Sequence, residues 1–83
     1  GTYTDITNSA NRQGVRLANI YELRDLSAAY GSRWPMGNAY YWSSTYSHNF
    51  LFFNYYYGRN INNGAESTFK QWVGSQLLGV GLR

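Results

Sequence analysis

The residue pattern of this chain points to one small α+β domain spanning residues 1–83. Two observations carry that expectation. Residues 1–31 hold helix starts and stops around apolar residues at helical spacing. Residues 38–83 are instead dense in Tyr, Phe and Trp and punctuated by Gly and Asn-Gly. A third observation says what must hold such a domain together. There is no cysteine, aromatic residues make up 19% and charged residues 13%. A chain of this size buries only roughly 60–65% of its unfolded surface. Without crosslinks, its core must come from large aromatic side chains.

The elements follow in order. Asp5 is read as the cap of a short first helix, with Ile6 and Ala10 on one face and Gly14 as its stop. Asn19 with Glu22 three residues on forms a capping box for a second helix. Ile20, Leu23, Leu26 and Tyr30 supply its stripe, and Gly31 its end. Residues 31–38, containing Trp34-Pro35, read as loop or turns. A strand follows over 39–45, with Ser47-His48-Asn49 as a hairpin tip and a long aromatic strand from Phe50 to Tyr57. Gly58-Arg59 is read as a turn, Asn60-Ile61-Asn62 as a short returning strand, and Asn62-Asn63-Gly64 as a turn. The final stretch, Trp72-Val73 and then Leu77 to Leu82, is strand-forming near its end. Gly79 and Gly81 within it indicate a close backbone approach or a bulge.

Catalytic chemistry finds little material here. The acids are Asp5, Glu22, Asp25 and Glu66, and capping roles account for the first two. Asp25 with Glu66 would be the pair for a glycan-acting enzyme. His48 is the single histidine, without neighbouring metal ligands, and neither Ser43 nor Ser44 sits in a nucleophile elbow. No phosphate-cradling glycine loop and no acidic cluster for calcium is present, so no cofactor or metal is expected. The net charge is +3, yet the seven basic residues are dispersed. That argues against a nucleic-acid interface and against insertion of this domain into a membrane. The chain opens at Gly1-Thr2-Tyr3 rather than Met, and it is expected to be a segment of something longer.

What remains is the chemistry of recognition: rigid aromatic rings with adaptable Asn and Ser hydrogen bonds. Along 50–57 both alternating sets are aromatic, so the strand is expected to be covered on both faces. Trp42, Phe52 and Phe53 are assigned to the core; Trp34 is either a packing plug or a binding residue.

A resemblance sharpens this reading. Gly14-Val15-Arg16-Leu17 precedes a capped helix with Glu22-Leu23. Then come Trp34-Pro35, Tyr40-Tyr41-Trp42-Ser43-Ser44-Thr45, a tyrosine-rich strand, Asn63-Gly64 and a last strand from Val80 to Arg83. In order and spacing this series resembles the C-type-lectin-like domain at the tip of intimin- and invasin-type (inverse autotransporter) bacterial adhesins. Ala18-Asn19 stands where that family usually has Pro-Thr. The family's frequent cysteine pair is missing from both of its positions. That is a coherent joint loss, which removes a clamp often worth roughly 2–4 kcal/mol.

The resemblance implies a C-type-lectin-like fold, with two helices packed on a small, twisted, mainly antiparallel sheet and the terminal strands adjacent. It also implies a non-catalytic, calcium-independent binding module on the bacterial cell surface. Such a module follows immunoglobulin-like domains and an outer-membrane anchor, and meets a host surface or extracellular protein or glycan. The candidate contact residues are Trp34, Tyr46, His48, Asn49, Tyr55, Tyr57, Arg59, Asn60 and Asn62. Arg59 has a second reading, an ion pair with Glu66. The competing functions are a lectin module of another secreted or surface protein, a glycan-acting enzyme, a nucleic-acid binder working by stacking, and a self-associating tip.

Overall fold

A computed structural model describes residues 1–72 and 77–83. Helix α1 spans Tyr3–Arg12 and helix α2 spans Ile20–Tyr30. Asp5 does not cap α1: the Thr2 hydroxyl accepts from the Asp5 amide, and the Asp5 carboxylate accepts from the Thr2 amide. In this reciprocal box the hydroxyl takes the cap and the carboxylate sits one turn inside, near the positive end of the helix dipole. Asn19 caps α2 as expected, receiving the Glu22 amide at 2.8 Å while Glu22 receives the Asn19 amide at 3.0 Å. Gly31 ends that helix with φ 50° and leads into a short 3-10 turn, Gly31–Arg33.

The main sheet has four strands: β2 (Tyr40–Phe50), β3 (Phe53–Asn60), β4 (Glu66–Lys70) and β5 (Leu78–Gly79). Their order is β4-β3-β2-β5, antiparallel except for the parallel β2/β5 pair. A separate ribbon pairs β1 (Arg16–Leu17) with β6 (Gly81–Leu82) antiparallel, so the early and final strands are adjacent. The molecule is therefore a small α+β domain with two helices and a mixed sheet. Val73, expected to join the last strand-forming stretch, lies outside the described residues.

Three strand boundaries differ from expectation. Ser47, His48 and Asn49 are strand residues, and the hairpin turns at Leu51-Phe52. Gly58 and Arg59 continue β3 rather than turning it. An added Cβ at Gly58 would lie 2.7 Å from Phe69 Cε2 and 3.1 Å from the Tyr41 carbonyl oxygen. That glycine serves close packing within a sheet and does not supply a bend. Asn60 ends β3 and no strand follows it directly; the chain reverses over 61–64 and returns as β4. Asn60 organises that reversal, since its Oδ1 accepts from the amides of Asn62 (3.0 Å) and Asn63 (3.2 Å). Gly64, at φ 79°, completes the expected Asn-Gly turn.

The base of the sheet is covered on both faces. On one, Ile20 and Leu23 of α2 pack with Ala18, Tyr41 and Ile61, bordered by Trp34 and Tyr57. On the other, Trp42, Leu17 and Leu77 pack with Tyr3 and Ile6 of α1, Tyr40, Tyr56 and Phe69. Alternation along Tyr40-Tyr41-Trp42 sends successive rings to opposite cores.

The rest of that motif is polar glue. The Ser43 hydroxyl, fully buried, donates to the Tyr57 carbonyl at 2.7 Å, and Ser44 N–H reaches the Ala18 carbonyl at 2.9 Å. Thr45 Oγ1 receives the Ile20 amide at 3.0 Å, satisfying a donor at the start of α2. At Gly81 an added Cβ would come within 2.6 Å of Val15, so the expected close approach is present.

Candidate functional site

The pairing of β2 with β3 sets the site. From Trp42↔Gly58 to Tyr46↔Tyr56, β2 uses four residues against two in β3, and one more is inserted before His48↔Tyr55. Such bulges bend a strand and increase its twist. Beyond them the hairpin runs on to Phe50↔Phe53 and reverses in two residues. Two-residue hairpins favour turns with positive φ at both central residues, which Asn and Gly normally supply. Here Leu51 and Phe52 supply it, at φ 51° and 70°. For bulky side chains this conformation costs about 1–2 kcal/mol each.

The turn also exposes what it carries. Phe52 is 98% exposed, Leu51 67%, Phe50 58% and Phe53 39%. Phe52 and Phe53, expected in the core, are thus at the surface. Their neighbours form a collar. Tyr46 stands against Tyr56 edge to face, and the His48 ring lies parallel to Tyr55 at 4.6 Å. Asn49 Nδ2 donates to Asn54 Oδ1 at 3.0 Å, and the Lys70 ammonium sits 4.5 Å from the centroid of Phe53. Gln71 N–H bonds the Asn54 carbonyl at 2.8 Å, so Trp72, also exposed, leaves the sheet at the hairpin's outer end.

The nine residues singled out from sequence fall into two groups. Tyr46, His48, Asn49 and Tyr55 come together on the distal hairpin. Trp34, Tyr57, Arg59, Asn60 and Asn62 lie toward its base; along β3, Tyr57 is about 7 Å and Asn60 about 17 Å from Tyr55 at about 3.3 Å per strand residue. The basal group is largely occupied with structure. The Trp34 indole donates to the Tyr41 hydroxyl at 2.9 Å and packs edge-on against Tyr30 and Tyr41. It behaves as a packing plug, while also lining an open groove of about 480 Å³ with Met36, Leu78 and Val80. Tyr57 packs against the α2 core, and Asn60 is 4% exposed with its side chain committed to the turn. Asn62 Nδ2 reaches toward the Gly31 carbonyl.

Arg59 does pair with Glu66, at 2.7 Å, and Arg24 joins the same carboxylate at 2.6 Å. The two guanidiniums hold the Glu66 carboxyl below its ordinary range, Arg24 contributing most. Glu22 is held down to about 2, chiefly by its two short bonds from Arg16 and then by the Asn19 amide. With Asp5 in the α1 box, three of the four acids have structural partners, and Asp25 is on the exposed side of α2. Burial, with Tyr56 beside it, pushes the Tyr3 phenol up to about 12, on the side of the sheet away from α2. Among the described residues no group of three His, Cys, Asp or Glu could hold a metal ion.

Sequence reasoning missed Phe50, Leu51, Phe52, Phe53 and Lys70 as surface groups. The run Phe-Leu-Phe-Phe contains no turn residue, so nothing local marked its centre as a reversal. The usable signal was the pairing of Phe50 with Phe53 across a two-residue gap, and it is visible once the register is known. No protein-family model, no curated protein and no solved structure matches the chain.

Proposed function

We propose that this domain is a non-catalytic, calcium-independent binding module of C-type-lectin-like type, carried at the tip of a bacterial surface adhesin of the intimin/invasin kind. Its partner is a host cell-surface or extracellular protein or glycan. The observation that carries the reading is the distal hairpin. Four aromatic or amide side chains, Tyr46, His48, Asn49 and Tyr55, are held there by ring stacking and an amide pair on a rigid ribbon. Pre-ordered rings and amides lose little entropy on binding, as contact surfaces require. The engagement of Asp5, Glu22 and Glu66 in structural pairs supports recognition over acid–base chemistry. The antiparallel β1/β6 ribbon supports the lectin-like topology.

The test is a screen of the chain against host extracellular proteins and a glycan array, with and without a calcium chelator. Binding that survives chelation and falls at least tenfold in Tyr46→Ala and in His48→Ala is expected. An interaction that both substitutions leave intact, or glycoside turnover that stops on Asp25→Asn, overturns the reading.

A further inference from the structure

We infer that the tip of the β2–β3 hairpin seats in the interfacial region of an anionic lipid bilayer, as a contact additional to the receptor surface on the hairpin's flanks. Four consecutive residues, Phe50, Leu51, Phe52 and Phe53, form the apex, and none has a polar side-chain atom. Contiguous exposed apolar surface of this kind marks an interaction site. Phe53 carries the Lys70 ammonium on one side, and the other three residues are more than half exposed.

The residues just behind the apex identify the medium. Tyr46 lies on the hairpin face that carries Tyr56, while His48 and Tyr55 lie on the other. Lys70 reaches over Phe53 from β4, and the exposed Trp72 follows it. Directly behind the apex is the Asn49–Asn54 amide pair, and behind that amphipathic rings stand on both faces with the Lys70 cation on one. That is the depth order of a bilayer interface, with acyl chains first and then the Tyr, Trp and Lys level.

Length and charge agree with this. From the Phe50↔Phe53 pair to the apex is roughly 5–7 Å, the depth to which interfacial elements sink. At that depth the last cross-strand pair has already closed the ribbon, and only the turn peptides lie beyond it. The dispersed bases lead to the expectation that this domain does not enter a membrane; it is the apolar apex that reverses it, and charge only permits the contact, since between Asp25 and Glu66 the chain has no acidic residue and Glu66 is paired with two arginines. Nothing on the hairpin repels an anionic surface. The strained Leu51-Phe52 turn fits the same purpose: Asn-Gly would relax it, but would put polar or absent side chains at the point of entry.

The test uses the 83-residue chain with vesicles of phosphatidylcholine alone and vesicles in which about a third of the lipid is phosphatidylserine. Co-sedimentation with the anionic vesicles is expected. Phe52→Asp should reduce the bound fraction at least tenfold, and Lys70→Gln about fivefold at low salt. Phe52→Trp should report entry by a blue-shifted emission that appears with vesicles and not with receptor. The side chain of Phe52 touches no core, so circular dichroism and melting of Phe52→Asp should match the parent; Leu51→Ser serves as a second variant of the same point. The inference is overturned by a folded chain that does not sediment with anionic vesicles, or by binding indifferent to both tip variants. It is also overturned by tip-dependent self-association in analytical ultracentrifugation without lipid binding. Receptor binding lost in Tyr46→Ala while vesicle binding persists would separate the two surfaces, and failure of either leaves the other assay readable.

Discussion

Trp42 and Phe52 belong to one hairpin, yet Trp42 has no exposed surface and Phe52 has nearly all of its own. The basal half of β2–β3, around Trp42, Tyr41 and Tyr57, lies between α1 on one side and α2 on the other. In the distal half, from Tyr46 through Tyr55, no ring is buried, and those of Tyr46, His48, Phe50, Phe52 and Phe53 are exposed. The residue types barely change along the ribbon. What changes is whether a helix is there to cover them. Hydrophobicity therefore separates core from contact surface poorly here, and position along the hairpin separates them well.

The strongest way to break this comparison is to remove a basal ring. Trp42→Ala should cost about 3–5 kcal/mol, a large fraction of the stability of a domain this small. Urea titration should show the variant largely unfolded in buffer, and a loss under about 1 kcal/mol would mean that the base is not the core. Gly58→Ala comes next, at about 1–3 kcal/mol, because the new methyl meets the Phe69 ring and the Tyr41 carbonyl. Adding Phe69→Leu should recover part of that loss; no recovery would move the strain to the backbone.

The distal turn should respond with the opposite sign. Replacing Leu51-Phe52 with Asn-Gly should raise stability by about 1–2 kcal/mol, since both positions lie at positive φ. The same double variant should lose vesicle binding, and a lower urea midpoint would show that the tip contributes to folding. By contrast Phe52→Ser should stay within about 0.5 kcal/mol of the parent.

The pH profile probes the base by itself. The Glu22 and Glu66 carboxyls are held below their ordinary value by arginines. As pH falls from about 4.5 toward 2, the unfolded chain takes up these protons first, so stability declines across that window. Glu22→Gln should flatten the acid limb of a melting-temperature profile; an unchanged limb would place the linkage elsewhere. At the alkaline end Tyr3, raised to about 12, keeps its proton longer in the folded state. Stability should therefore fall as pH climbs from 10 toward 12, and Tyr3→Phe should remove that component.

Local chemistry made some of this molecule legible in advance. The Asn19–Glu22 box, the Gly31 stop, the Asn63-Gly64 reversal and the Arg59–Glu66 pair are each decided within a few residues or by scarcity of alternatives. The failures share a cause as well. Asn60 looked like an exposed amide, yet it is buried because the reversal it organises is docked on α2, where Ser27 Oγ donates to the Ile61 carbonyl at 2.8 Å. Gly58 looked like a turn residue, yet it is demanded by a ring arriving from β4. The distal candidates Tyr46, His48, Asn49 and Tyr55 were identifiable by residue type, but their grouping needed the bulged register.

By itself the sequence determined the two helices, the capping box of α2, the aromatic character of the sheet and the shortage of acids. These depend on neighbours along the chain and on composition, which no fold can alter. The tertiary structure alone decided which aromatic rings are sealed and which meet solvent, because that depends on where α1 and α2 end relative to the hairpin. It also decided that Leu51-Phe52 would be the turn: pairing of Phe50 with Phe53, and the packing of both faces below, override a local preference worth only a few kcal/mol.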